Sequence, residues 1–237
     1  MKRLLQLAVL ALTVIASAIS CNKDTTLIYN DATMGDIMNG TFISDQGIIY
    51  NIVESTQKFR LDTMTRAFLI CDVLSANESG PDSYNVRLKE VYPVVVKPVK
   101  FSSFIEDDDA LGNDPIKLYD GWISGGYMNF QVVYTGKKDS KTRHLVNMVL
   151  DQEKSTDTSL ELNLRHNGYG EIMDASNANS GNIVIFTEYY SFPLAGVNPN
   201  PEKKAEFNIN FPWYREIDNS IYPEVEQKHI VGYIPAQ

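Results

Sequence analysis

Leu160-Glu161-Leu162-Asn163-Leu164-Arg165-His166-Asn167-Gly168 alternates apolar and polar side chains and ends on an Asn-Gly pair. Side chains two apart share one face of an extended strand, so the three leucines and His166 point one way while Glu161, Asn163 and Arg165 point the other. The same period recurs on either side. Met128, Phe130, Val132 and Tyr134 oppose Tyr127, Asn129 and Gln131, and Phe207, Ile209 and Phe211 oppose Glu206, Asn208 and Asn210. Residues 144–150 follow the turn Gly136-Lys137-Lys138-Asp139-Ser140, residues 183–190 are apolar on both faces as a central strand would be, and residues 230–234 close the set. Roughly six or seven antiparallel strands over residues 121–237 predict an Ig-like β-sandwich, because each apolar face needs a partner layer.

Upstream, Phe42-Ile43 and residues 48–53 flank Ser44-Asp45-Gln46-Gly47, a hairpin-like turn. An apolar run at 67–74 ends before Ser79-Gly80-Pro81-Asp82, after which Tyr84, Val86 and Leu88 alternate with Asn85, Arg87 and Lys89. Val94-Val95-Val96 lies between Pro93 and Pro98, which places it at an edge or a strand end. About five short strands within residues 36–100 suit a small barrel of the OB type. The expected fold is therefore all-β, a small OB-like barrel followed by an antiparallel sandwich.

Between the two modules, residues 101–120 carry Glu106, Asp107, Asp108, Asp109, Asp114 and Asp120 against Lys117, with Gly112 and Pro115. This composition predicts an acidic linker. A calcium loop is the alternative, but three adjacent Asp side chains do not converge as spaced ligands do.

The N-terminal MKRLLQLAVLALTVIASAISC has two cations, an apolar stretch and small residues before Cys21, the layout of a secretory signal over residues 1–20. The apolar stretch is short of the roughly 20 residues a spanning helix needs. Ala18-Ile19-Ser20-Cys21 resembles the lipobox of bacterial lipoproteins, which implies diacylglycerol on the Cys21 thiol and anchorage by the acyl chains. Residues 21–35 are expected to form a tether, in which Lys23 and Asp24 resemble a surface-export signal. The expected place is the outer membrane, facing the periplasm or the cell surface. With Cys21 acylated, Cys71 is the one remaining thiol, and its apolar neighbours predict a buried, inert side chain.

The chain has 237 residues and a formal net charge of −9. Removing residues 1–20 leaves 19 basic and 30 acidic side chains. Duplex nucleic-acid binders gain affinity by neutralising phosphates with Lys and Arg, so this balance disfavours a nucleic-acid partner. Residues 26–100 hold seven bases and nine acids, which gives a polyanion no purchase on the barrel. The expected partners are the membrane, through the lipid, and an envelope protein or glycan.

No catalytic grouping stands out. His144, His166 and His229 are far apart in sequence, Cys71 has no neighbouring Cys or His, and there is no phosphate-binding glycine loop. Neither a metal nor a cofactor is expected. Gly121-Trp122-Ile123-Ser124-Gly125-Gly126 lacks nucleophile-elbow spacing and is expected to start a strand with Trp122 in the core. His166 is a candidate ligand contact beside the Asn167-Gly168 turn; the alternative is a histidine that pins that turn. Trp213-Tyr214, after Pro212 at a strand end, is a second candidate contact, expected to be partly exposed.

Gly121-Trp122 leading into Tyr127-Met128-Asn129-Phe130-Gln131, together with the stretch 160–168, resembles the NigD-like lipoproteins of Bacteroidetes. In that family an acid soon follows the Arg-His-Asn turn, whereas here Tyr169 and Gly170 precede Glu171. The resemblance implies a lipoprotein with an OB-type domain and a C-terminal β-sandwich, and a bacteriocin-immunity role as the alternative to a general binding module.

Overall fold

A computed structural model describes residues 29–56, 58–78, 80–173, 181–198, 200, 202–214 and 225–234. The expected signal, the lipidation site Cys21 and the export residues Lys23 and Asp24 lie outside the described residues. Among the described residues there are thirteen strands, three short 3-10 turns and no α-helix. The strands are β1 (Tyr29–Met38), β2 (Thr41–Ser44), β3 (Ile49–Ser55), β4 (Arg66–Ala76), β5 (Ser83–Val96), β6 (Lys100–Phe101), β7 (Lys117–Ser124), β8 (Tyr127–Lys137), β9 (Leu145–Asp151), β10 (Ser159–Asn167), β11 (Ile183–Pro193), β12 (Ala205–Tyr214) and β13 (Val225–Ile234). Among the described residues no helix is long and apolar enough to cross a membrane.

Strands β3-β2-β1-β4-β5 run side by side, and a parallel β3–β5 pairing closes them into a five-stranded barrel with the strand order of an OB fold. Phe42, Leu69, Cys71, Val73, Val86 and Leu88 fill its core. Burial, helped by the nearby Asp31 and Asp72 carboxylates, pushes the Cys71 thiol up to about 12, so the thiolate nucleophile does not form at neutral pH. The β1–β2 hairpin turns on Asn39 and Gly40, both at positive φ, as a two-residue turn with matching twist requires.

The barrel corrects one expected boundary. Residues 29–35, read as tether, are the first part of β1 and pair with β4 from Tyr29↔Val73 onward. Only Gly35 of this stretch also pairs with β2. A side chain at Gly35 would strike the Ile43 carbonyl oxygen at 2.2 Å, so the chain needs glycine where the strands close.

Strand β5 joins the two modules. A bulge opposite Ile70 and Cys71 re-phases it: Val86 and Leu88 point into the barrel, while Glu90 and Tyr92 point outward. Pairing with β4 ends at Ala67↔Pro93, and parallel pairing with β11 begins at Val94↔Tyr189. Pro93, which has no N–H to give, thus sits where the strand changes partners. Of the two places expected for residues 94–96, an edge or a strand end, they take the second, closing a fourteen-residue strand that is interior to the sheet.

The sandwich packs β5-β11-β8-β7 against β13-β12-β10-β9-β6. Leu160, Leu162, Leu164 and His166 are all buried, as their period of two demands. Residues 183–193 form a central strand between β5 and β8. The pairing is mixed, since β10–β12, β5–β11 and β6–β9 are parallel.

The segment 101–120 is no linker. Leu111 and Ile116 are buried, and Ile116 bridges to Trp213. Arg165 holds Asp108 at 2.9 Å and donates from Nε to the Gly112 carbonyl at 2.6 Å. Asp114 accepts from the Gly168 backbone at 2.7 Å. Asp108 and Asp114 are held by Arg165 and the Gly168 amide from more than fifty residues away, while Glu106, Asp107 and Asp109 stay exposed to solvent.

Candidate functional site

The outward face of β4 and β5 meets the barrel-facing side of β7 and β11. After a bulge at Tyr119, the β7 pairs Asp120↔Gln131 and Trp122↔Asn129 turn these side chains toward the barrel. Between the modules lies an open cleft of about 420 Å³, lined by Met34, Gln46, Phe68, Asp120, Trp122, Gln131 and Tyr189 among others. Phe68 stacks on Tyr189 with ring centroids 4.9 Å apart and planes within 15°. Trp122 and Tyr92 each stand 6.4 Å from Phe68, and Tyr92 lies 5.5 Å from Tyr189. Tyr92 is 37% exposed, so the wall presents ring surface to solvent.

Two carboxylates border these rings. Glu90 accepts a hydrogen bond from the Tyr92 hydroxyl, and Asp120 accepts one from the Gly121 amide. Burial first, then the negative charges of Glu90 and Asp120, raise the Tyr189 hydroxyl above its ordinary range.

Behind the cleft, Arg66 of the barrel is buried in the interface. Its Nη1 donates to Asp36 and Asp45 at 2.8 Å each, its Nη2 to Asp45 at 2.7 Å and to Asn129 at 3.1 Å, and its Nε to Ser191 at 2.9 Å. All five guanidinium hydrogens are therefore used, and the plane lies 4.2 Å from the Tyr127 ring. Burial alone would lower the Arg66 pKa, but the bonds to Asp45 and Asp36 raise it, so the side chain is a fixed cation. Ser124 donates to Asp45 and accepts from the Trp122 indole at 3.1 Å and from Asn129 at 3.0 Å. The network thus sets the angle of one cleft wall. The β7–β8 turn, Gly125-Gly126, has positive φ at both residues, and a side chain at Gly125 would strike the Asp45 carboxylate at 2.3 Å.

The residues singled out from sequence lie elsewhere. His166 is fully buried inside the sandwich, its Nε2 3.1 Å from Nδ1 of His144. Both rings pack on Tyr134, at 5.0 and 4.9 Å. His166 therefore offers no surface to a ligand, and two histidines judged too distant in sequence do meet. They come together because His166 pairs with Val146, two residues past His144, on the neighbouring strand. Burial, reinforced by His144, pushes His166 down to about 3, and burial also lowers His144. Among the described residues no group of three metal-ligating side chains occurs.

Trp213 is half-buried, flanked by Lys228 and Lys117 at 5.5 and 5.8 Å from its ring. Tyr214 is fully buried, with its hydroxyl 3.2 Å from Thr135. The pair expected to share one exposed surface is thus split by strand alternation. Trp122 stands in the cleft rather than in the sandwich core. Its position in the motif was legible, but its direction depended on the Tyr119 bulge. A second open groove, of about 450 Å³, runs between the edge strands β7 and β13 over Phe130 and Phe207, with few polar groups to orient a ligand.

A family model described as the NigD-like C-terminal β-sandwich domain matches residues 97–222, more than half of the chain. No curated protein sequence matches it. Solved structures share the fold. A protein of unknown function from Bacteroides vulgatus is 22% identical with a TM-score of 0.61, covering 88% of this chain and 90% of that one. A NigD-like immunity protein from Bacteroides caccae is 16% identical with a TM-score of 0.58, covering 85% and 91%. A provisionally assigned lipoprotein from Bacteroides fragilis is 16% identical with a TM-score of 0.53, covering 89% and 98%. On the sandwich match over residues 97–222, the chain belongs to the NigD-like family.

Proposed function

We propose that the protein is a non-enzymatic binding module of the bacterial cell envelope, held to the outer membrane by lipid on Cys21, that takes a segment of a protein partner in the cleft between barrel and sandwich. The observation that carries this is the aromatic wall of Phe68, Tyr189 and Trp122 at a domain interface, with Tyr92 packed beside Phe68, where ligand sites concentrate and where aromatic anchors contribute most binding energy. The cleft is poorly suited to catalysis. Ser124, a hydroxyl in its lining, is committed to Asp45, Trp122 and Asn129, and no histidine lines the cleft among the described residues.

The chain has two tryptophans. In a Trp213→Phe background the emission of Trp122 alone reports on the cleft. Peptide libraries presented to the chain without residues 1–20 are expected to yield ligands that shift this emission, and Phe68→Ala should weaken them about tenfold or more. If soluble glycans move the signal and peptides do not, the ligand class is wrong; if neither does, the cleft is not a binding site.

Membrane attachment is tested separately. The wild type should incorporate labelled palmitate and fractionate with membranes, while Cys21→Ala should lose the label and become soluble. An unlabelled wild type removes the anchor. The name of the Bacteroides caccae structure supports a narrower use of the same cleft, interception of a bacteriocin. Deleting the gene should then raise sensitivity to a co-encoded toxin.

A further inference from the structure

We infer that the partner segment binds as an added strand on the free edge of β7, with its alternate side chains entering the two hollows that flank that strand. This rests on the protein-binding reading above and gives the partner its conformation and its side-chain pattern.

Strand β7 ends the eight-stranded sheet, and among the described residues its outer side pairs with no strand. Gly125-Gly126 is a two-residue turn with positive φ at both positions, so the pair that closes it, Ser124↔Tyr127, exchanges both backbone hydrogen bonds. Antiparallel pairs alternate between bonded and non-bonded. The N–H and C=O groups of Ser124 and Trp122 therefore turn toward β8, and those of Ile123 and Gly121 turn outward. The Gly121 amide agrees with this phase, since it donates at 2.8 Å to the carboxylate of Asp120, its own neighbour in the chain. What remains is the Ile123 amide and carbonyl and the Gly121 carbonyl, a row matched by another extended backbone.

Both faces of the strand are open. On the barrel side lies the cleft, on the sandwich side lies the groove of about 450 Å³ toward β13, and Asp120, Trp122 and Ile123 line both. In the groove a glycine stands on each edge strand. Gly121 pairs with Phe130 and Gly232 with Phe207, and a side chain at either glycine would strike the paired ring, at 3.0 and 2.2 Å. The two rings thus floor a hollow that neither edge strand fills. Ile230 borders it, 36% exposed although it pairs with the fully buried Ile209.

A strand laid on β7 sends successive side chains to opposite faces. One set meets Met128, Phe130, Phe207 and Ile230, which are carbon surfaces and call for apolar residues. The other set meets Gln46, Gln131, Trp122 and the Phe68–Tyr189 stack, which suit polar or aromatic residues. The occupant is therefore an extended segment of the partner that alternates apolar with polar or aromatic side chains; backbone pairing supplies affinity and the hollows supply specificity. A second copy of this chain fits less well. Its β7 would bring Leu118 and Ile123, which are already packed against that copy's own core, so the hollow would stay empty.

The test uses the chain without residues 1–20, carrying Trp213→Phe, and peptides of about nine residues selected from a random library by their shift of Trp122 emission. Each is resynthesised with a single N-methyl amide at successive positions and titrated by calorimetry. Every second methyl should weaken binding about tenfold or more and those between should cost little, because only alternate amides of an added strand face β7. Ile123→Pro, which removes one outward amide at an edge where proline is tolerated, should bind about tenfold more weakly than Ile123→Ala. Peptides that bind with no alternation in the methyl series overturn the strand mode and leave the protein-binding reading standing, and that series needs no variant to fold. Equal binding by the two Ile123 variants also overturns it. A free chain that is dimeric, and monomeric with Ile123→Pro, assigns the edge to a second copy and overturns it as well. If the library yields no peptide, both readings fall.

Discussion

Replacing Arg66 by alanine should lower the free energy of unfolding by about 3–5 kcal/mol, the usual cost of removing one partner from a buried ion pair. The side chains of Arg66 and Asp45 are 1% and 2% exposed, so the orphaned Asp45 carboxylate would stay buried without its bidentate cation. Asn129 and Ser191 would lose a donor at the same stroke. In a domain of this size the melting temperature should drop by on the order of 10 °C. Arg66→Lys should recover only part of the loss, because one ammonium supplies three donors where the guanidinium supplies five in a planar fork. Denaturant midpoints check the first claim, and Trp122 emission checks the second consequence. Since Ser124 links the indole to Asp45, loss of Arg66 should move the emission toward that of a solvated tryptophan. A change within about 1 kcal/mol of wild type would show that the interface does not depend on this pair.

The second large effect is acid lability. An unfolded histidine titrates near 6.5, whereas native His166 is pushed down to about 3 by burial and then by His144. Burial also lowers His144, although Glu171, Asp114 and Glu188 pull it the other way. Below about pH 6.5 the unfolded chain therefore binds protons that the native chain refuses. Stability is fully present above that pH and falls as the pH drops, toward about 3. For His166 alone the loss should reach about 3 kcal/mol by about pH 4.5. Carboxylates add their own acid dependence, so the diagnostic is a difference between proteins. His166→Leu, whatever its absolute stability, should show a shallower fall between neutrality and about pH 4.5. Identical slopes would mean that His166 is not held neutral in the folded chain.

Much of the architecture was legible in single stretches. The alternation at 160–166 named a strand and the side chains it buries, His166 included. The turn at 44–47 marked the β2–β3 hairpin, and the spacing of the first runs announced a small closed barrel. The errors share one cause. Residues 29–35 resembled a tether because Tyr29 to Ala32 are exposed or half-buried and show no alternation, while the strand that pairs with them, β4, lies far along the chain. The segment 101–120 resembled a linker because the groups that fasten it at Asp108 and Asp114, Arg165 and the Gly168 amide, lie on β10 and the turn after it. Trp122 was assigned to the core because the bulge at Tyr119, which reverses the faces of β7, leaves no mark in composition.

The cleft was invisible for the same reason. Its rings come from β4, β5, β7 and β11, and none of these stretches is unusual on its own. Arg66 meets Asn129 and Ser191 across 63 and 125 residues of chain, and only the handover of β5 from barrel to sandwich brings them together. What the sequence determined by itself was local: which stretches are extended and which side chains share a face, because backbone geometry alternates side chains with a period of two wherever a strand forms. What the tertiary structure decided was pairing and phase: which strands are neighbours, where bulges reverse a face, and therefore which acid meets which cation and which rings face one another. Those choices depend on the register between distant strands, and register is set by the fit of whole surfaces rather than by any one stretch.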